Sequence, residues 1–122
     1  MFPPSRLPLP LKAATLAVCL GVLSWLSLTP MQELPRVDLS DKVEHLTAYA
    51  VLATVSLLLF PDRLRRVVPG CIGFGVLMEI LQGLMGLGRQ CDWRDALANS
   101  IGVLLVSGGF LLVRRLAGPR PA

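Results

Sequence analysis

The stretch VVPGCIGFGVLMEILQGLMGL, residues 67–87, decides how the chain must be read. As an α-helix rising ~1.5 Å per residue it would be about 31 Å long, the thickness of a bilayer's hydrocarbon core. Two polar side chains interrupt it, Glu79 and Gln82, three positions apart and so on one helical face. Counting back from Gly88 places Glu79 ~13 Å below the end of the run, near mid-membrane. Insertion scales put a charge at that depth at roughly 2.5–3.5 kcal/mol. Such a glutamate is expected to face a bundle interior, paired or protonated.

Three further runs flank this one. Residues 11–29 are apolar, follow a proline-rich opening and close at Pro30. Pro3, Pro4, Pro8 and Pro10 predict an extended tail over residues 1–10. The first run is long for a signal peptide and no A-x-A-like cleavage site follows it, so it is expected to remain as a span. The second run, LTAYAVLATVSLLLF, is short by itself, but a helix beginning near Asp41 reaches ~30 Å by Phe60. Pro61 and the basic DRLRR end it. The fourth, DALANSIGVLLVSGGFLLV, stops at Arg114 and Arg115, leaving residues 117–122 as a tail.

Composition agrees with a membrane protein. Of 122 residues 53% are hydrophobic and 16% charged, against about 25% charged in soluble domains. Mean hydropathy is +0.63, more apolar surface than so small a globule could hide. The net charge of +4 comes from basic residues between apolar runs rather than from a continuous patch, so nucleic acid is not an expected partner. Cys19, Cys71 and Cys91 lack zinc or redox spacing and read as free thiols. The expected fold is all-α: one domain over residues 11–116 with four transmembrane helices.

Orientation follows from lysine and arginine near the span ends. With the N-terminus inside, the cytoplasmic segments hold Arg6, Lys12, Arg63, Arg65, Arg66, Arg114, Arg115 and Arg120. The other side holds only Arg36, Lys42, Arg89 and Arg94. Acids have the opposite bias: beyond Glu79 in its span, only Asp62 is inside. Both termini are therefore expected in the cytoplasm.

Polar side chains from three helices would then converge at the outer end. Asp41, His45 and Tyr49 recur every four residues and form one stripe about 80° wide. On the third helix Gly75, Gly83 and Gly86 share the face of Glu79 and Gln82; on the fourth Gly102 and Gly109 share that of Asp95 and Asn99. Such small residues let helices approach closely. Arg89, Asp92 and Arg94 lie in the joining loop. Several have bland readings. Asp41 with Glu44, and Asp92 with Asp95, fit helix N-cap pairs; Tyr49 fits a packing aromatic with a bonded hydroxyl; Trp25 and Trp93 fit interface anchors. A metal site from His45, Asp41, Glu79 and Asp95 is conceivable, but with one histidine and no HExxH zinc is weakly supported, so no metal or cofactor is assigned.

At these positions the chain resembles the VanZ-like family. The likeness rests on DKVEHLTAYAVLA from Asp41, MEILQG from Met78 and GRQCDWRDALANSIGVLLVSGG from Gly88, and covers about residues 10 to 115. Cys91-Asp92 replaces the family's phenylalanine-aspartate entry, and Val106 and Ser107 precede its usual small residue. The resemblance implies a small envelope membrane protein of the kind associated with teicoplanin resistance, with no chemistry assigned. Carried across, the family's polar positions fall on Asp41, Lys42, His45, Tyr49, Glu79, Gln82, Arg89, Asp92, Asp95 and Asn99.

Three functions are compatible with this reading. The leading one is a non-enzymatic factor whose outer polar cleft binds a lipid-linked cell-wall precursor, a membrane lipid headgroup or a glycopeptide. Lys42, Arg89 and Arg94 could contact its phosphate. The second is an intramembrane enzyme with Glu79 as general acid or base beside His45 or Asp95. The third is a proton-coupled carrier, although residues 67–75 offer no titratable relay beyond Cys71. Glycine-rich faces would also suit a homo-oligomer.

Overall fold

The computed structural model describes residues 3–29, 41–85 and 92–118, and of Asp41 only the backbone. Arg89, Cys91, Gly86 and Arg36 lie outside the described residues. A short 3-10 turn, Pro4–Arg6, leads into α1 (Leu9–Leu28), followed by α2 (Asp41–Leu59), α3 (Leu64–Met85) and α4 (Trp93–Ala117). All four are long and apolar enough to cross a membrane. The chain is an all-helical, multi-pass membrane protein.

The helix boundaries follow from local chemistry, with two departures from expectation. The proline-rich opening is not extended throughout. It makes the 3-10 turn and then enters α1 at Leu9, with Pro10 inside the first helical turn. The first N–H groups of a helix have no partner within it, so proline there removes nothing the helix needs. At the other junction Pro61 stops α2, and Phe60 still donates its N–H to Ser56 O at 2.8 Å. The chain turns at once, because Arg66 and Val67 both donate to Arg63 O at 2.9 Å. Hence α3 starts at Leu64, before the apolar run, and carries Pro69 within it. Gly118 closes α4 at φ 76°, a conformation in which a Cβ would be strained.

The helices are unequally embedded. Only 6% of α1's span is buried, against 33% for α2 and 28% for α3 and α4, so α1 lies at the periphery. The core gathers Tyr49, Leu52 and Ala53 of α2, Cys71 of α3, Val103 of α4 and Leu23 of α1. Outward faces carry Leu84, Leu105 and Val113, as lipid contact requires. Trp25 and Trp93 are exposed near helix ends, compatible with interface anchoring.

Two ends of the bundle differ sharply. At one, the start of α1, the α2–α3 turn and the end of α4 meet: Lys12 Nζ lies 5.2 Å from the Phe60 ring, and Arg114 donates to Pro61 O at 3.1 Å. At the other end lie the starts of α2 and α4. Between α1, α2 and α3 a cavity of about 580 Å³ opens near the first end, lined by Leu16, Leu20, Phe60, Arg63, Arg66 and Phe74. It contains none of the polar residues singled out above.

The tightest contact joins α2 to α4. A Cβ built on Gly102 would stand 2.3 Å from Leu46 O and 3.2 Å from Ala50 N. No side chain fits there, so the two backbones touch. Gly109, by contrast, meets nothing within 4 Å, and Gly83 is exposed. Among the described glycines, the close approach expected of small residues is seen at Gly102 and Gly75. Replacing Gly102 by valine should separate α2 from α4, lowering Tm in detergent by several degrees, whereas Gly109→Val should leave it within a degree or two. Thermal unfolding by circular dichroism reads both.

Candidate functional site

Four of the predicted polar residues are almost fully withdrawn from the surface: Glu79 is 3% exposed, Gln82 2%, Asp95 7% and Asn99 1%. Burying such groups is costly unless each finds a partner, so their contacts define what the end of the bundle can do.

The α2–α4 crossing brings the polar stripe of one helix against the start of the other. Lys42 Nζ donates to Asp92 Oδ2 at 3.1 Å and to Asp95 Oδ1, forming a fork between α2 and α4. Asp92 also caps α4, its Oδ1 accepting the Arg94 N–H at 2.9 Å. The Arg94 N–H first, and then Lys42, hold the Asp92 carboxyl below the usual carboxylate range. The N-cap reading of Asp92 therefore holds, but Asp95 does not complete a reciprocal capping box. Asp95 turns inward to Lys42 and His45 instead, and the Asp92 N–H donates to Glu79 Oε2 at 3.3 Å. For Asp41 and Glu44 no cap is described.

His45 occupies the middle. Its Nδ1 lies 3.1 Å from Asn99 Oδ1 and 3.9 Å from Glu79 Oε1, while Nε2 is 3.6 Å from Asp95 Oδ2. One ligating atom from each of His45, Glu79 and Asp95 lies within 4.8 Å of the other two. These three residues, on three different helices, form the centre of the cluster. Through the bond from the Asp92 N–H, the Glu79 carboxylate reaches the N-cap of α4, so the two helices are staggered along their axes.

Tyr49 and Gln82 sit differently from expectation. Tyr49 is 2% exposed and packs with its ring centroid 6.2 Å from that of Phe74, yet its hydroxyl has no hydrogen-bond partner among the described residues. Asn99 Nδ2 also lacks one. Asn99 Nδ2 and the Tyr49 ring both approach Gly75, where an added Cβ would lie 3.2 Å from Asn99 Nδ2 and from Tyr49 Cε1. Gln82 does not join the cluster. Its Nε2 donates to Ser27 O at 2.7 Å, satisfying a carbonyl in the last turn of α1 that has no helical partner. Its role is to tie the peripheral helix to α3.

Sequence reasoning placed Gly75 on a close-packing face but not against Asn99 and Tyr49, and it did not anticipate the buried Ser107 hydroxyl, also unpartnered among the described residues. The small residues facing Tyr49 were visible, but nothing in their spacing named the ring they would meet. Scans against protein families, curated proteins and solved structures find no match to this chain.

Two outcomes follow. Gln82→Ala should cost about 1 kcal/mol of stability, the size of an interhelical hydrogen bond in a bilayer, without altering the His45 cluster. It is measured by denaturant unfolding in mixed micelles. Asp92 gives a pH signature. A folded carboxyl held below its unfolded value of about 3.9 stabilises above that pH, and the contribution is lost as pH falls through the lower folded value. Asp92→Asn should therefore lower Tm at pH 7, and the gap from the parent chain should close toward pH 3.

Proposed function

We propose that this chain is a VanZ-like protein of the bacterial cytoplasmic membrane, with both termini in the cytoplasm. In this reading the His45 cluster is a binding site on the outer side for the polar group of a lipid-linked cell-wall precursor or of a glycopeptide. The observation that carries it is the burial of Glu79, Asp95 and Asn99 around His45, contributed by three helices. Helix pairs in lipid can be tied by one hydrogen bond, as Gln82 does. Burying several titratable groups together costs far more than such a tie requires. Orientation is supported by the basic residues Lys12, Arg63, Arg65, Arg66, Arg114 and Arg115, which gather at the end opposite the cluster.

Lys42 changes the expected mode of recognition. As its ammonium is engaged by Asp92 and Asp95, a ligand phosphate would have to displace a carboxylate to reach it. Amide and hydroxyl groups of a peptide or sugar suit the site better, since they can both donate to carboxylates and accept from Asn99 Nδ2.

A second reading, an intramembrane enzyme on a lipid-linked substrate, is favoured by the proximity of His45 to two carboxylates. General acid–base catalysis needs such neighbours.

Expressed in a glycopeptide-sensitive host, the parent chain should raise teicoplanin tolerance. His45→Ala and Glu79→Gln should return it to the host's level while membrane abundance stays the same. Full tolerance in both variants would remove the cluster from function. For the enzyme reading, turnover across a panel of lipid-linked substrates by purified protein, abolished in Glu79→Gln, is the deciding assay.

A further inference from the structure

We propose that His45, Glu79 and Asp95 form a three-ligand site for a first-row divalent transition-metal ion. This rests on reading the cluster as a binding site, and it adds an inorganic partner to it.

The first support is spacing. An ion with bonds of about 2.1 Å holds its ligand atoms roughly 3.0–3.4 Å apart in octahedral or tetrahedral geometry. His45 Nε2 and Asp95 Oδ2 stand 3.6 Å apart, too far for a hydrogen bond and close to ligand separation. Glu79 Oε1 approaches the same ring from the Nδ1 side, at 3.9 Å, and one ligand atom from each of the three residues lies within 4.8 Å of the other two. Side-chain rotation of roughly an ångström closes this set to coordination distances.

The second is the surroundings of each ligand. His45 presents Nδ1 to Asn99 Oδ1 at 3.1 Å. In the tautomer that donates from Nδ1, the ligating nitrogen is Nε2, the atom facing Asp95. This is the arrangement by which metal-binding histidines are oriented from behind. Lys42 takes Asp95 Oδ1 and leaves Oδ2 on the histidine side. The Asp92 N–H likewise steadies Glu79 through Oε2. Each ligand is thus held by a hydrogen bond from another residue.

A third observation is independent of the carboxylates. Asn99 Nδ2 and the Tyr49 hydroxyl are buried donors without partners among the described residues. The Asn99 nitrogen belongs to the same amide that contacts His45, and it packs closely against Gly75 beside the Tyr49 ring. Three protein ligands leave coordination positions for water or an anionic group. Donors that lack partners inside the protein suit such an oxygen.

One nitrogen and two oxygens make a borderline-hard set, favouring Zn²⁺ or Mn²⁺ over soft, thiolate-seeking ions. From the sequence, these three residues with Asp41 are a conceivable metal set, unassigned for want of a second histidine or an HExxH motif; the structure draws His45, Glu79 and Asp95 together from three helices.

The test is metal content of the full chain in detergent, stripped with chelator and then dialysed against Zn²⁺ or Mn²⁺ alone. One ion per chain is expected, falling at least tenfold in His45→Ala, Glu79→Gln and Asp95→Asn. Circular dichroism selects the variants that remain folded, and Glu79→Gln preserves shape. Asn99→Ala, which removes only the support of His45, should weaken affinity 10–100-fold with full occupancy still reached at saturating metal. Co²⁺ loading should give d–d bands without thiolate charge transfer. Less than about 0.1 ion per parent chain, content unchanged in all three ligand variants, or a thiolate charge-transfer band from any of the three cysteines would each overturn the site. Loss of teicoplanin tolerance in variants of a chain that takes up no metal would overturn the metal alone and leave the binding function standing.

Discussion

The structure turns on a contact between two backbones. Where α2 crosses α4, Gly102 lies against the Leu46 carbonyl, with no room for one additional carbon. Apolar side chains cannot drive helices together in lipid, because lipid tails offer equal company. Close approach and polar bonds must supply the association. Both meet here: the crossing at Gly102 sets the distance at which Lys42 reaches Asp92 and Asp95, and at which His45 meets Asn99. α3 then adds Glu79 from the side, and α1 is held by Gln82 at the edge.

This arrangement separates two kinds of buried polarity. Gln82 makes a single bond to a carbonyl that would otherwise have no helical partner, which is a packing role. Around His45, carboxylate, imidazole and amide groups crowd together from three helices, and two donors beside them have no partner among the described residues. A network selected only to join helices would match donors to acceptors. Those two buried donors, beside titratable groups drawn from three helices, are what the proposed binding role rests on. The apolar cavity near the opposite end has volume but none of this chemistry.

Much of the fold was legible beforehand. Four spans, their order and the short α2–α3 turn follow from run lengths, Pro61 and the basic DRLRR. The stripe of His45 and Tyr49, and the inward face of Glu79, Asp95 and Asn99, follow from helical spacing and prove to be buried or nearly so. Less accessible were the ends. Pro10 looked like a breaker and is a first-turn residue; α3 begins before its apolar run because Arg63 O anchors the turn. Glu79 looked deep when measured from its own helix, yet it reaches the N-cap of its neighbour. Depth along one helix says nothing of the stagger between two.

Taken alone, the sequence determined that this chain spans a membrane four times and which face of each helix is polar, since hydropathy and the 3.6-residue period belong to single segments. Only the tertiary structure decided which polar faces meet. It sent Gln82 to α1 and away from the cluster, Asp95 to Lys42 and not to its own helix cap, and His45 to the gap between two carboxylates. The reason is geometric. Pairing across helices depends on their rotation and axial offset, and these are set by how closely Gly102 lets α4 lie against α2.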